Sequence, residues 1–307
     1  MLVHHPKIVL LGKDGQLGWE LQRSLSSLGE LVCMGRQEAD MVDLKGLRRQ
    51  IKALRPDVIV NASAYTAVDK AEREPDQAFL INSESVAVLA QEAQELGACL
   101  VHYSTDYVFD GLKATAYLED DMAEPLSVYG RSKLAGEQAV RASGCRHLIF
   151  RSSWVYSVHG ANFPLAILRR ALEREEIDVV VDSFGAPTSA GLMADVTALA
   201  VYKVLGADRS GQNHPQGTYH LVASGQTSWY EYAKFLLRAA RNKGLPVKVA
   251  PNRIFPISGD SLKSAAKRPK NSCLATDKIA NDFQLVLPDW KSHVLRFVDE
   301  LIASKRL

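Results

Sequence analysis

The chain is poor in several features that mark special classes of protein. Its 307 residues hold four cysteines, Cys33, Cys99, Cys145 and Cys273. They lie far apart with no CxxC pair, so neither a disulfide framework nor a thiolate zinc site is indicated. Three sit in or beside apolar stretches, where a free thiol behaves as a small hydrophobe, and that usage suits the cytoplasm. The eight histidines lack HExxH-type spacing, and no metal site is expected. Neither charge sign dominates: 37 Lys and Arg against 35 Asp and Glu give a formal net charge of +2. That balance leaves no nucleic-acid footprint and no polybasic membrane surface. The local exception is a short basic segment at Lys263, Lys267, Arg268 and Lys270. No stretch approaches the roughly 20 apolar residues that span a bilayer, and no charged segment with a long apolar run opens the chain.

What is present is an ordinary globular composition, 47% hydrophobic and 23% charged, enough to bury a sizeable core. Short β-branched runs at Lys7–Leu11, Leu31–Met34, Asp57–Asn61, Leu100–Ser104 and His147–Arg151 predict buried strands. Between them, amphipathic stretches at Leu17–Leu28, Leu44–Leu54, Gln77–Leu96 and Ser127–Arg141 predict helices. This alternation predicts an α/β fold, a Rossmann-type doubly wound parallel sheet with helices on both faces. A helix through Ala166–Glu173 and a sixth strand at Ile177–Val181 extend it. Beyond Asp182 the rhythm loosens. Ser228 and Glu231 fit a capping box before a helix through Tyr232–Arg241, and a last helix is expected over Trp290–Ala303. The expected division is a dinucleotide-binding domain over 1–182 and a smaller mixed α/β substrate domain over 183–307. That boundary is soft, and later segments can return to the first domain.

Directly after the first strand comes Gly12-Lys13-Asp14-Gly15-Gln16-Leu17-Gly18, a GxxGxxG pattern opening a helix. Its glycines allow a tight turn and close approach of a pyrophosphate to the helix N-terminus. A glycine pattern alone also serves plain turns, so its place between strand and helix is what gives it weight. The second strand ends Met34-Gly35-Arg36, with no carboxylate at the tip to read a ribose 2′-hydroxyl. Arg36 as a fork for a 2′-phosphate favours NADP(H). Its alternative reading is a solvated loop residue. Asp43 downstream is a further candidate for the adenosine side, and it leaves dual use with NADH open.

Tyr129-Gly130-Arg131-Ser132-Lys133 is a YxxxK spacing at the start of a helix announced by Ser127. Residues four apart share a helical face, so phenol and ammonium can point into one cleft. A cation beside the phenol is expected to lower its pKa from near 10 toward the working range. By itself the spacing also fits an exposed Tyr-Lys pair. The fourth strand ends Ser104-Thr105-Asp106-Tyr107, and strand carboxyl ends face the ligand crevice in open sheets of this kind. Thr105 is thereby delivered beside Tyr129. The third strand ends Asn61-Ala62-Ser63-Ala64-Tyr65-Thr66, small residues that allow a cofactor to lie close.

Taken together, these residues resemble the extended short-chain dehydrogenase/reductases, and further stretches narrow the resemblance. They are residues 12–22, Ala67-Val68-Asp69-Lys70-Ala71-Glu72, Ser104 to Phe109, Pro125 to Gly130, Arg151 to Tyr156, Gly185-Ala186-Pro187-Thr188, Arg268-Pro269 and Asn271-Ser272. The chain is similar there to the dTDP-4-dehydrorhamnose reductase family, over nearly its whole length. The resemblance implies reduction of the C4 ketone of dTDP-4-dehydro-6-deoxy-L-mannose by NADPH, giving dTDP-L-rhamnose. It makes Tyr129 the proton donor to O4 and Lys133 the residue that binds the nicotinamide ribose and tunes the tyrosine. Thr105 and Asp106 would contact the substrate. Gly12, Gly15, Gln16, Leu17 and Gly18 would hold the pyrophosphate region, Asp43 and Leu44 the adenosine, and Ala64, Tyr65 and Thr66 the rest of the cofactor. Trp154 is either a wall of the sugar pocket or a core residue. Arg268 and Lys270 are either partners of the nucleotide diphosphate or a solvated loop.

The chain also departs from that family. Members are thought to dimerise around magnesium held by carboxylates in the first helix and just after the GAPT stretch. Glu20 matches the first position, but Gly191 stands at the second. A homodimer stays open while the magnesium bridge loses a ligand. Tyr65 stands where a histidine is common. Two other readings fit the same scaffold: a different nucleotide-sugar reductase or epimerase, and a non-catalytic NADP-binding subunit resembling the beta subunit of methionine adenosyltransferase. The partner expected in the first reading is a small nucleotide sugar, with neither nucleic acid nor membrane.

Overall fold

The computed structural model describes residues 5–210, 215–262, 264–304 and 306, so Lys263 of the basic segment lies outside the described residues. Five parallel strands come from the N-terminal half: β1 (Lys7–Leu11), β2 (Glu30–Met34), β3 (Val58–Asn61), β4 (Cys99–Thr105) and β5 (Arg146–Ser152). β1 lies between β2 and β3, and β4 then β5 follow outward. The strand order reverses at β1, and a ligand crevice opens beyond the carboxyl ends of the strands at such a reversal.

Because both faces of the sheet are covered, its strands are apolar at successive positions rather than alternating with polar ones. Val9, Leu11, Ile59, Leu100 and Ile149 pack with Leu47 and Ile51 of α2 (Leu44–Leu54). On the same face stand α5 (Ser85–Leu96) and α6 (Val128–Ser143). Ile8, Leu10, Val58, Val60, Val101 and Phe150 face the other way, onto Leu21 and Leu25 of α1 (Gln16–Leu25). Two short helices, α3 (Val68–Ala71) and α4 (Pro75–Phe79), follow β3. The single helix expected over Gln77–Leu96 is α4 and α5 joined by one wide π turn, Leu80–Glu84. The bulge carries Asn82 into the interior, where its side chain bonds the backbone N–H and C=O of Tyr65 and the hydroxyl of Ser132. π turns are frequent at functional sites.

The sixth place in the sheet differs from expectation. Past α7 (Phe163–Glu173), the segment predicted to fill it is indeed a strand, β7 (Ile177–Val180), reached after the short β6 (Val155–Tyr156). β7 exposes Asp178 between buried Ile177 and Val179, an alternation unsuited to a sheet covered on both sides. The short strands β8 (Phe184–Gly185) and β9 (Thr188–Ser189) lead into α8 (Ala190–Ser210), and β10 (Gly217–His220) then pairs with β5. Residues beyond 182 therefore complete the main sheet. The remaining elements are β11 (Thr227–Ser228), α9 (Trp229–Asn242), β12 (Ile254–Ile257), α10 (Asp277–Phe283) and α11 (Trp290–Ser304). β7 pairs in parallel with β12. The apolar cluster under α1 continues through Tyr232 and Leu236 of α9 to Val294 and Phe297 of α11.

Two local expectations are refined. Ser228 caps α9 by accepting from the Glu231 N–H at 3.1 Å, but the Glu231 carboxylate pairs with Lys234 instead of closing the box. The estimate that no stretch is long and apolar enough for a membrane also needs correction. Within α8 the 18-residue window Ala190–Ala207 has mean hydropathy 1.4. More than half of it is buried, against α1 and the sheet, which is the setting of a core helix.

Candidate active site

At the nucleotide end of the crevice the walls are main chain. Gly12 has φ +82°, and a Cβ there would come within 2.8 Å of the Ala62 and Ser63 backbone. A Cβ at Gly18 would stand 1.9 Å from the Gly12 carbonyl oxygen. The loop and α1 thus close on each other only with glycine at both positions. Gly15 is the N-cap of α1. In front of it lies a cleft of about 510 Å³, lined by Gly12, Asp14, Gly15, Gly35, Arg36, Ala39 to Val42, Ala62 to Ala64, Gln77 and Ile81. Such a cradle, open at a helix N-terminus, fits the pyrophosphate and adenosine of a dinucleotide.

The other residues assigned to this end are placed unevenly. Arg36 and Ala64 line the cleft. Gln16 is turned aside: its Oε1 accepts from the Ser157 N–H at 3.1 Å and the Asn162 amide at 2.8 Å. Leu17 packs against the core. Asp43 caps α2, accepting from the Gly46 N–H at 2.9 Å, and Leu44 packs on the sheet. The wall on that side is Asp40 to Val42, one turn earlier. Tyr65 donates its hydroxyl to Glu74 at 2.9 Å, and Thr66 is exposed. The tip of β2 is also more acidic than its sequence implies. The Asp14 and Glu38 carboxylates both reach Gly35.

At the catalytic end the groups are side chains. Ser127 caps α6 by accepting from the Gly130 N–H, and the helix starts with half-buried Tyr129 facing the end of β4. The Thr105 hydroxyl is a hydrogen-bond partner of the Tyr129 phenol, and the Tyr107 ring meets Tyr129 edge-on at 5.5 Å. One turn on, Lys133 is buried, donating to the Tyr103 carbonyl at 2.6 Å with His102 Nε2 at 3.4 Å. Burial pulls its pKa down to about 8, opposed by the negative charge of Glu137. Burial holds His102 well below the ordinary histidine range, and the Lys133 charge adds to that. The Tyr129 phenol is pushed up to about 12 by burial and by Asp106, with Thr105 acting the other way. Burial, rather than the lowering expected from Lys133, is the dominant effect on Tyr129.

Asp106 is buried at the same strand end. Its Oδ1 accepts from the Thr105 hydroxyl at 3.0 Å, while Oδ2 is buried without a partner among the described residues. Burial raises its pKa to about 6 despite hydrogen bonds from Ser272 and Thr105.

The Tyr129–Lys133 face extends one more turn to Glu137, which the sequence reading passed over. Its carboxylate takes a two-pronged bond from Arg151 of β5, at 2.8 and 2.7 Å, and both are buried. Spacing alone could have found Glu137. Nothing in the sequence flags His102, or Asn61, whose amide lies 3.3 Å from His102 Nδ1.

On the substrate side, Trp154 lies between β5 and β6 with φ +50°. Its indole stacks on Trp229 at 3.5 Å and lies against Gly185, whose Cβ would strike it at 2.7 Å. It is partly exposed, so packing and wall roles coexist in one ring. Arg268 is not free: its guanidinium donates to both oxygens of Asp69, at 3.2 and 2.6 Å. Lys270 pairs with Asp260 at 2.8 Å. Both cations are thus held by acids of the same chain. Glu20 faces Gly191, whose Cβ would stand 3.9 Å from its carboxylate. With glycine there the second carboxylate of a bridge is missing. Among the described residues no group of three or more His, Cys, Asp or Glu gathers to hold a metal.

Comparison with known proteins agrees along the whole chain. The family described as RmlD substrate binding domain matches residues 6–303. dTDP-4-dehydrorhamnose reductase of Escherichia coli K12 is 47% identical over 303 residues, covering 97% of this chain and 98% of that protein. The reductase of the same name from Burkholderia thailandensis is 43% identical over 298 residues, covering 97% and 100%. A crystal structure of dTDP-4-dehydrorhamnose reductase from Bacillus anthracis in complex with NADP superposes with TM-score 0.86 at 32% identity, covering 97% of this chain and 100% of that one. With a Rossmann sheet, a glycine cradle and the Tyr-Lys face already in place, these matches show that the chain belongs to the dTDP-4-dehydrorhamnose reductase family.

Proposed function

We propose that the chain reduces the C4 ketone of dTDP-4-dehydro-L-rhamnose to dTDP-L-rhamnose, with NADPH as reductant. The observation that carries this is the buried Tyr129–Lys133 face meeting Thr105 beside the glycine cradle, in a chain whose relatives carry that activity in their names. NADPH held along the cradle supplies the hydride for C4.

The chain's own residues manage the proton and the charge. Tyr129 gives its phenolic proton to the ketone oxygen as negative charge develops there. A phenol whose pKa is raised to about 12 stays protonated until needed, and the charge it acquires is then offset by Lys133. With a pKa of about 8, that lysine is cationic at neutral pH. Thr105 steadies the Tyr129 phenol beside that oxygen as its hydrogen-bond partner, and Asp106 fixes the Thr105 rotamer by accepting its hydroxyl proton. Trp154 bounds the sugar, and its partner Trp229 keeps that ring from turning. The four free thiols support a cytoplasmic setting.

The test is substrate-dependent NADPH oxidation with freshly generated dTDP-4-dehydro-L-rhamnose, repeated with NADH, and identification of the product. Formation of dTDP-rhamnose supports the reading. NADPH binding without turnover would sink it in favour of a non-catalytic nucleotide-binding subunit.

A further inference from the structure

We propose that Glu38 sets the choice between NADPH and NADH by acting as a built-in anion where a coenzyme 2′-phosphate would seek its partners. The proposal rests on the reading of the cleft as a dinucleotide site and goes beyond it, since Arg36 was the residue singled out there. The glycine loop is stitched to the tip of β2: the Gly12 and Lys13 N–H groups both donate to the Met34 carbonyl, at 2.9 and 3.2 Å. Position 35 carries no side chain, and a Cβ there would have to displace the Asp14 carboxylate, 2.2 Å away. The strand tip therefore reads its ligand with groups from elsewhere. Glu38 folds back to it from the following turn. One of its oxygens accepts from the Gly35 N–H at 2.8 Å and the other from the Lys13 ammonium at 2.5 Å.

A backbone N–H and a lysine converging on one carboxylate make an anion site that the chain fills itself. Beside it Arg36 lines the cleft and makes no ion pair among the described residues. The acids nearby are Asp14, which reaches the tip, and Asp40, which lines the cleft. A 2′-phosphate brings about two negative charges. It would find Arg36 open but Lys13 and the Gly35 N–H already taken by an anion that repels it. A 2′-hydroxyl meets no such conflict and can donate to the Glu38 carboxylate. Glu38 therefore lowers NADPH affinity and supports NADH, and Arg36 does the reverse.

The experiment is direct titration of the protein with NADPH and with NADH, following coenzyme fluorescence without sugar substrate, for the wild type, Glu38→Gln and Arg36→Ala. The Glu38 side chain is 45% exposed, so the isosteric glutamine leaves the fold intact. Glu38→Gln should tighten NADPH about tenfold, the scale of one charge-assisted hydrogen bond, and leave NADH equal or weaker. Arg36→Ala should weaken NADPH more than NADH. An unchanged NADPH/NADH ratio in Glu38→Gln, with both coenzymes still binding, overturns the proposal and leaves the dinucleotide site standing. Failure of the wild type to bind either coenzyme overturns both.

Discussion

At the nucleotide end of the crevice, recognition is carried by the path of the backbone. Gly12 and Gly18 allow loop and helix to close on each other, and the small residues Ala62 to Ala64 line the facing wall. At the catalytic end each group is a buried side chain secured by another buried group. Lys133 is held by the Tyr103 carbonyl, Glu137 by Arg151, and Thr105 by Asp106. The first end tolerates solvent because backbone amides stay oriented in it. The second works by excluding solvent, which is what moves the pKa values of Tyr129, Lys133 and Asp106. Changes at the catalytic end should therefore leave coenzyme affinity almost untouched while altering chemistry, stability or both.

The largest effect expected is on chemistry. Tyr129→Phe keeps the ring against Tyr107 and removes the proposed proton donor, so kcat should fall by about 10³, with NADPH affinity within about twofold of wild type by titration. A comparable loss of NADPH binding would break the separation of the two ends. The next is on stability. Arg151→Met takes the buried two-pronged partner from Glu137 and leaves that interior carboxylate with the half-exposed Arg141, at 3.0 Å, as its remaining ion-pair partner, which should cost about 3 kcal/mol in urea unfolding. Replacing both buried partners, Glu137→Leu with Arg151→Met, should recover most of that loss, because the cost lies in a buried carboxylate left with one half-exposed partner. A double variant as unstable as the single one would mean that the pair is worth more than its desolvation.

This contrast also explains what could be read in the sequence. GxxGxxG after a strand and YxxxK after a serine cap are local patterns, and their neighbours along the chain supply their geometry. The first five strands were legible for the same reason: apolar runs covered on both faces look alike in any such sheet. The sixth was not, because Ile177–Val180 is the more apolar run while Gly217–His220 reads Gly-Thr-Tyr-His, and only pairing with β5 singles out the second. Long-range partners were equally hidden. His102 behind Lys133 and Asp69 clasping Arg268 across 199 residues leave no periodic trace. Glu38 reaching Gly35 is closer in sequence, yet an acid four residues past a strand gives no sign of turning back.

Asp106 tests how dry the catalytic end is. Its pKa rises from the ordinary carboxylate range to about 6 through burial, so the folded state holds its proton more tightly than the unfolded chain does. That penalty is absent below about pH 4, grows as pH rises toward about 6 and is fully present above it. Asp106→Asn should therefore melt with the wild type at about pH 4 and be more stable at about pH 8, by on the order of 3 kcal/mol. A constant difference between the two across that range would show that solvent reaches the carboxylate.

The smallest effect is expected where a side-chain pair is not buried. Arg268 and Asp69 make a well-formed ion pair, but their side chains are 42% and 44% exposed. Exposed pairs contribute about 0–1 kcal/mol because water and salt screen them. Arg268→Gln should thus change unfolding stability by less than about 1 kcal/mol, against the several expected for Arg151→Met. If Arg268 leaves Asp69 to meet the diphosphate of the sugar nucleotide, the same variant raises the sugar-nucleotide KM and leaves the NADPH KM alone. Asp69→Asn then separates two uses of the pair. Should Asp69 hold the guanidinium in position, the sugar-nucleotide KM rises in that variant too. Should it compete with the diphosphate, that KM falls, and a pair with almost no weight in stability becomes a brake on substrate binding.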